Sequence, residues 1–217
     1  MFPSQDKELR KQATEMVEGL ELKQSSSSDY RRSIRASVYG LWRGEMGIFS
    51  FVDSMVTAVD RGLRAAWYEG ASHCGIRHGE LTPEEESRLV MEINSEISHI
   101  YSFGRFIFDR NKLSKGQLSP LYRRADMWAN KYLSIVALAS TMACGDLKYK
   151  WVVNVSKEHC HSCLKLNNRV YRGSTWHNYD IYPRMRNGRL MCGGWKCGCE
   201  LVPTTDPATP GRPPNLP

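Results

Sequence analysis

Five of the seven cysteines lie in the last 60 residues of this 217-residue chain. Cys160 and Cys163 are three positions apart in the segment EHCHSCLKL. This C-x2-C spacing lets one tight turn direct two thiolates at one metal ion. Cys197 and Cys199 form a C-x-C pair, whose side chains share a face if the segment is a strand. These residue types and spacings predict a metal site.

We expect Zn2+ in a structural role, because four thiolates close a tetrahedral zinc site. Cys192, which precedes a Gly-Gly pair, is an alternative ligand in place of one residue of the C-x-C pair. The competing interpretations are a pair of disulfides, or cysteines used as small buried apolar residues. Cys74 and Cys144, further upstream, are predicted to be core residues. The predicted ligand set is Cys160, Cys163, Cys197 and Cys199.

The positive charge is concentrated in the same part of the chain. Residues 1–145 hold 19 Lys/Arg and 18 Asp/Glu, whereas residues 146–217 hold 11 Lys/Arg and 5 Asp/Glu, of a total net charge of +7. A basic region of this kind suits a negatively charged partner such as nucleic acid, although it also suits a merely soluble surface. The candidate nucleic-acid-binding residues are Lys148, Lys150, Arg184, Arg186 and Arg189.

The region before residue 147 has the pattern of a helical protein. Thr82 is a predicted N-cap, with Pro83 at the first helical position and Glu85 completing a capping box. The run SSSS at 25–28 predicts a flexible joint. A polar, charge-rich stretch predicts a first helix over residues 5–24. Apolar residues at helical spacing predict four more helices, over residues 29–43, 46–70, 83–109 and 120–143.

After residue 147 the composition changes to that of a small β module. Three segments have strand character: YKWVVNV, the residues after Asn167-Asn168, and CELVPT. We therefore predict an α+β fold, predominantly α, in which a helical body precedes a small C-terminal β module held together by a cysteine cluster. The predicted units are an N-terminal helix and Ser-rich joint (1–28), a helical body (29–146), a Cys-rich zinc-ribbon-like module (147–204) and a Pro-rich disordered tail or docking peptide (205–217).

Several functional classes find little support in the sequence. The polar N-terminus and the lack of an uncharged apolar run of eighteen residues predict no signal peptide and no membrane span, hence synthesis in a host cytoplasm. His78-x-Glu80 resembles part of a zinc deaminase motif, but no Pro precedes Cys160. A metal-dependent nuclease is suggested by His159, His177 and Asn178, but the sequence lacks the paired histidines of such an enzyme. We predict no catalytic residues and no small-molecule substrate.

The C-terminal pattern resembles the ending of tailed-phage head-morphogenesis proteins, the minor head proteins related to the F protein of phage Mu. The resemblance covers residues 119–204 and includes the helix segment SPLYRRADMWANKY. Cys192 stands where many relatives have His, and Asn168 replaces a common Gly. The matching positions are Trp151, Cys160, Cys163, Val170, Trp176, Pro183, Cys197, Cys199, Leu201 and Pro203.

The resemblance implies a minor structural protein of the virion head, in its interior or near the portal. Such proteins act during procapsid assembly, so the expected partners are the portal protein or the major capsid protein, with packaged phage DNA as a further contact. The fold it implies is mostly helical with a small terminal module. The alternatives are a zinc-ribbon nucleic-acid-binding protein and a metal-dependent nuclease.

Overall fold

The computed structural model describes residues 26–76, 80–114, 117–154, 158–185, 189–194 and 197–216. Its helical body contains α1 (Ser27–Arg43), α2 (Ile48–Ser72), α3 (Pro83–Ile97), α4 (Ile100–Ser114) and α5 (Leu118–Ala143). Its C-terminal module contains β1 (Lys148–Val152), α6 (His161–Leu166), β2 (Val170–Arg172), α7 (Gly173–Asn178) and β3 (Glu200–Pro203). The α+β, predominantly α, fold is confirmed, and the helix predicted at 5–24 lies outside the described residues.

Helix α1 begins inside the serine run that was predicted to be a joint. The Ser26 hydroxyl accepts a hydrogen bond from the Asp29 N–H, and the Asp29 carboxylate accepts one from the Ser26 N–H. This reciprocal capping satisfies backbone groups that have no partner within the helix. The described serines of the run therefore form the start of a helix. The same device, predicted at Thr82 and Glu85, begins α3.

Helices α2 and α5 are the longest and pack along each other at the centre of the body. Gly70 permits this close approach, because a Cβ atom there would overlap the Val136 carbonyl oxygen of α5. Near the other end of α2, Phe51, Phe103 and Trp128 form a chain of aromatic contacts that joins α2, α4 and α5. The apolar stripes predicted from the sequence therefore meet in one core.

The helix predicted over 83–109 is divided into α3 and α4. The Ser98 hydroxyl donates to the Ser95 carbonyl oxygen, which competes with regular helical bonding at this point. After the break, Ile100 and Phe103 are fully buried in the body. The sequence shows one continuous apolar stripe because both helices bury their apolar residues in the same core.

The module contains an antiparallel sheet in the order β2-β1-β3. Tyr149 lies opposite Tyr171, and Trp151 lies opposite Leu201. Along β1 the side chains alternate, so Tyr149 and Trp151 are buried while Lys148 and Lys150 lie half-buried on the other face. Trp176 of α7 donates its indole N–H to the Tyr149 carbonyl oxygen at 3.1 Å. The three predicted strands are thus present, whereas the two short helices were not predicted.

The module is joined to the body by buried side chains. Tyr182 and Met185 belong to the hydrophobic core of the body although they follow α7 in the chain. The Tyr149 hydroxyl donates to the Ser140 carbonyl oxygen at 3.1 Å, linking β1 to α5. These contacts fix the orientation of the cysteine-bearing segments relative to α5.

Cys74, just after α2, and Cys144, at the end of α5, lie side by side at a separation that a disulfide can bridge. Their Cα atoms are 5.7 Å apart, a usual separation for bridged cysteines. Cys144 is buried, as predicted, whereas Cys74 is exposed. The prediction that both are simple core residues is therefore wrong for Cys74, because the turn after α2 brings it to the surface.

The Pro-rich tail, predicted to be disordered or a docking peptide, lies against the module over the described residues 205–216. Thr209 covers the free edge of β2: its N–H donates to the Val170 carbonyl oxygen and its hydroxyl accepts from the Val170 N–H. Leu216 packs on the core of the module. The tail is ordered because it meets the unpaired backbone groups of an edge strand, a role that proline content alone does not reveal.

A buried ion pair in the body provides a test of the packing. Lys131 contacts Glu92 at 2.7 Å and Glu96 at 3.3 Å, and the Lys131 and Glu92 side chains are only 8% and 10% exposed. Replacing Lys131 by Met leaves Glu96 without this cation and Glu92 with only its contact to Arg88 at 3.0 Å. We expect the free energy of unfolding, measured by urea denaturation, to fall by about 3 kcal/mol or more.

The matched control is Arg105→Met, which breaks an exposed pair with Asp109 whose side chains are each 52% exposed. Exposed pairs contribute well under about 1 kcal/mol. If Lys131→Met and Arg105→Met lower the free energy of unfolding equally, the buried ion pair stabilises the fold no more than the exposed one, and this prediction is wrong.

Candidate metal centre

Three separate segments bring the five cysteines of the module together. Cys160 is the N-cap of α6 and Cys163 lies in its first turn, which gives the C-x2-C pair its converging geometry. Cys192 lies in the turn of residues 189–194, and the C-x-C pair immediately precedes β3. Cys163 and Cys199 are buried, and the other three are half-buried. The cluster is therefore inside the module, although part of it is accessible to solvent.

The sulfur atoms lie at distances that suit a shared metal ion. Cys160 Sγ is 3.4 Å from Cys163 Sγ, which is 3.7 Å from Cys197 Sγ. Tetrahedral coordination at the usual zinc–sulfur bond length of about 2.3 Å places sulfurs about 3.8 Å apart. None of the five is bonded to another as a disulfide. The cluster can hold a metal ion.

The ligand atoms divide into two groups, within each of which all atoms lie within 4.8 Å of one another. One group is Cys160, Cys163 and Cys192, and the other is Cys163, Cys197 and Cys199. The structure therefore brings all five candidate cysteines together. It pairs Cys160 with Cys192, however, where the sequence favoured a set of Cys160, Cys163, Cys197 and Cys199.

The thiols of the cluster change one another's acidity. Hydrogen bonds from Cys163 and Cys199 lower the pKa of Cys197 to about 2. Hydrogen bonds that join the Cys163 thiol to Cys197 and Cys199 raise the pKa of Cys163. Burial raises the pKa of Cys192 to about 11. A bound cation would replace the protons of these thiols, because thiolates rather than thiols bind metal ions.

Arg184 holds the C-x-C segment in position. Its guanidinium donates to the carbonyl oxygens of Cys199 at 3.1 Å and Gly198 at 3.3 Å, and it contacts the Glu200 carboxylate at 2.7 Å. Gly194 lies beside it with a φ of +77°, where a Cβ atom would overlap the Met185 carbonyl oxygen. Arg184 and Gly194 therefore hold the second and third cysteine segments against the same stretch of backbone, residues 184–185.

The histidines near the cluster have different environments. His159 Nδ1 is 3.8 Å from Cys199 Sγ, and its Nε2 is 2.6 Å from the Asn154 carbonyl oxygen. His161 is exposed on α6. His177 Nδ1 is 2.7 Å from the Tyr182 hydroxyl, within the contact between module and body. His159 was not among the predicted metal ligands. Its position directly before Cys160 is the one feature of the sequence that places it near the cluster.

The predicted nucleic-acid-binding residues do not form one free basic patch. Lys150 pairs with the Asp206 carboxylate at 2.9 Å, and Lys148 donates to carbonyl oxygens of the tail, including that of Thr205 at 3.0 Å. Arg184 is used within the cluster, as described above. Arg189 is exposed, whereas Arg186 and the deaminase-like His78 lie outside the described residues. The net charge of residues 146–217 does not reveal that Asp206 of the tail neutralises Lys150.

Comparisons with known proteins return no relative of this chain: no family model matches it, and no curated protein or solved structure is significantly similar to it. Among the described residues, no helix combines the length and the apolar character needed to cross a membrane.

The role of Arg184 is testable by substitution with Gln, which removes its charge and its paired contacts with two carbonyl oxygens. We expect metal affinity, measured by competition with a chromophoric chelator, to fall about 10- to 100-fold, because groups that orient ligands have effects of this size. Arg189→Gln changes an exposed arginine in the turn that carries Cys192; it is the control and should bind metal like the wild type. Equal affinities for both variants would contradict the positioning role.

Proposed function

We propose that this protein is a minor structural component of a tailed-phage head, and that its C-terminal module is held together by zinc. The observation that supports it is the convergence of five cysteines in one cluster inside the module. The positions that resemble head-morphogenesis proteins include four cysteines of this cluster, Cys160, Cys163, Cys197 and Cys199, and two tryptophans of the module core. Trp151 and Trp176, both fully buried, form part of that core.

Zinc is the metal that the ligand set favours. Thiolates are soft ligands, and sites dominated by cysteine with tetrahedral spacing select zinc or iron–sulfur clusters. The segments that carry the ligands are short, so the ion would connect α6, the turn at 189–194 and the start of β3. In this role the ion contributes folding energy to the module.

In the head, we propose that the rigid module presents a surface to the portal or capsid protein and makes further contact with packaged DNA. Residues 146–217 carry most of the net positive charge, and Arg189 is exposed. The lysines of β1 are partly neutralised by Asp206, so contact with phosphates would depend on residues outside that pairing.

Association with the head can be tested by quantitative mass spectrometry of purified procapsids and virions from a phage that encodes this chain. We expect a few copies per particle, co-purifying with the portal protein through gradient sedimentation. Peptides of the major capsid protein serve as the internal control for particle recovery. Absence of this chain from procapsids and virions alike would contradict the proposal.

The zinc requirement is tested by elemental analysis of protein purified under reducing conditions. We expect about one zinc per chain or more, and loss of zinc together with unfolding of the module in the double variant Cys160→Ser/Cys163→Ser. The matched control is Cys74→Ser/Cys144→Ser, which removes two cysteines outside the cluster and should retain zinc. A wild-type content below about half an equivalent would refute a structural zinc.

Contact with DNA is tested by titration at increasing salt concentration. Binding should weaken steeply, and Arg189→Gln should reduce the slope of log affinity against log salt by about 1, because one phosphate contact is lost. Arg32→Gln changes an exposed arginine of α1 and is the control. Binding that does not change with salt, or no binding at low salt, would remove DNA from the list of partners.

A further inference from the structure

His159 has the environment of a metal ligand. Its Nδ1 atom lies 3.8 Å from the sulfur of Cys199, close to the separation of about 3.5 Å expected for a nitrogen and a sulfur bound to one zinc ion. The side chain is half-buried at the edge of the cluster. By contrast His161, two residues further on, is exposed on α6.

The second ring nitrogen of His159 supports the same role. Nε2 is 2.6 Å from the Asn154 carbonyl oxygen, an acceptor that requires this nitrogen to carry a proton. In the neutral ring Nδ1 then has a free lone pair, and it is the nitrogen that faces the cluster. Ligating histidines usually donate their other N–H to a carbonyl or carboxylate in this way.

The cysteines provide more ligands than one tetrahedral ion can take. Their sulfurs fall into two groups of three, and Cys163 belongs to both. A single four-cysteine site would instead require one group of four at mutual distances of about 3.8 Å. The observed arrangement is two groups of three sulfurs with a common corner at Cys163.

We infer that the cluster binds two zinc ions bridged by the Cys163 thiolate, an inference that rests on the proposed zinc site and extends it. We assign His159, whose Nδ1 approaches Cys199, as the fourth ligand of one ion, and its ring must move closer to Cys163 and Cys197 when the ion binds; the other ion has three cysteine ligands and keeps one position for water. The two cysteine sets are Cys163, Cys197 and Cys199, and Cys160, Cys163 and Cys192.

Charge balance favours two ions over one. One divalent ion bound by four thiolates, with the fifth cysteine a neutral thiol, would leave two negative charges in a site whose central residue, Cys163, is buried. Two divalent ions bound by five thiolates would leave a single negative charge. Because poorly compensated charges are costly away from water, the second ion reduces this cost.

The test is native mass spectrometry of the full chain purified with zinc under reducing conditions. The wild type should carry two zinc ions, and Cys192→Ser should carry one, because it removes a ligand from only the three-cysteine set. Stepwise chelator titration should remove the ion with three protein ligands first. Circular dichroism of each variant confirms that the helical body remains folded.

His159→Gln tests whether His159 is a metal ligand, and His161→Gln is its matched control. His159→Gln should weaken the tighter step of the chelator titration at least tenfold, whereas His161→Gln should leave both steps unchanged. Equal titrations for these variants would show that His159 is not a ligand. One zinc per wild-type chain would overturn the two-ion inference while leaving a single structural zinc in place, and no zinc would overturn both.

Discussion

The convergence of three cysteine-bearing segments is the constraint on which the C-terminal module depends. Its strands are short, and the segments that carry Cys192 and the C-x-C pair have little regular secondary structure of their own. Their position is determined by the thiol cluster, by the contacts of Arg184 with backbone oxygens and by the close approach at Gly194. A metal ion at this point would replace thiol–thiol hydrogen bonds by stronger bonds to all three segments.

The module is an extension of the helical body with a core of its own. Trp151, Trp176 and Tyr171 pack against one another under the sheet, while Tyr182 and Met185 are buried among the helices. The module therefore buries more apolar surface than its short strands suggested. A cluster held on a rigid helical support suits a structural role in an assembly, where a fixed surface must be presented to a neighbouring protein.

The sequence predicted the elements with strong local signals. The capping box at Thr82, the apolar stripes of the long helices and the strand character around Trp151 each predicted the correct element. The C-x2-C and C-x-C spacings also identified the cysteines that meet.

Features set by tertiary contacts could not be predicted in the same way. The break at Ser98 lies within a continuous apolar stripe, and the tail docks through the backbone of β2. The grouping of Cys160 with Cys192 depends on the path of a turn remote in sequence, and the lysines of β1 meet Asp206 only after folding. Composition and spacing carry no information about these long-range pairings.

The central claim is that the cysteine cluster holds zinc through sulfur. X-ray absorption at the zinc edge, recorded on the full chain purified under reducing conditions, reports directly on the atoms bound to the ion. We expect a first shell dominated by sulfur at about 2.3 Å, with a smaller nitrogen contribution at about 2.0 Å. A first shell made only of nitrogen and oxygen would show that any bound zinc lies outside the cluster, and would contradict the account.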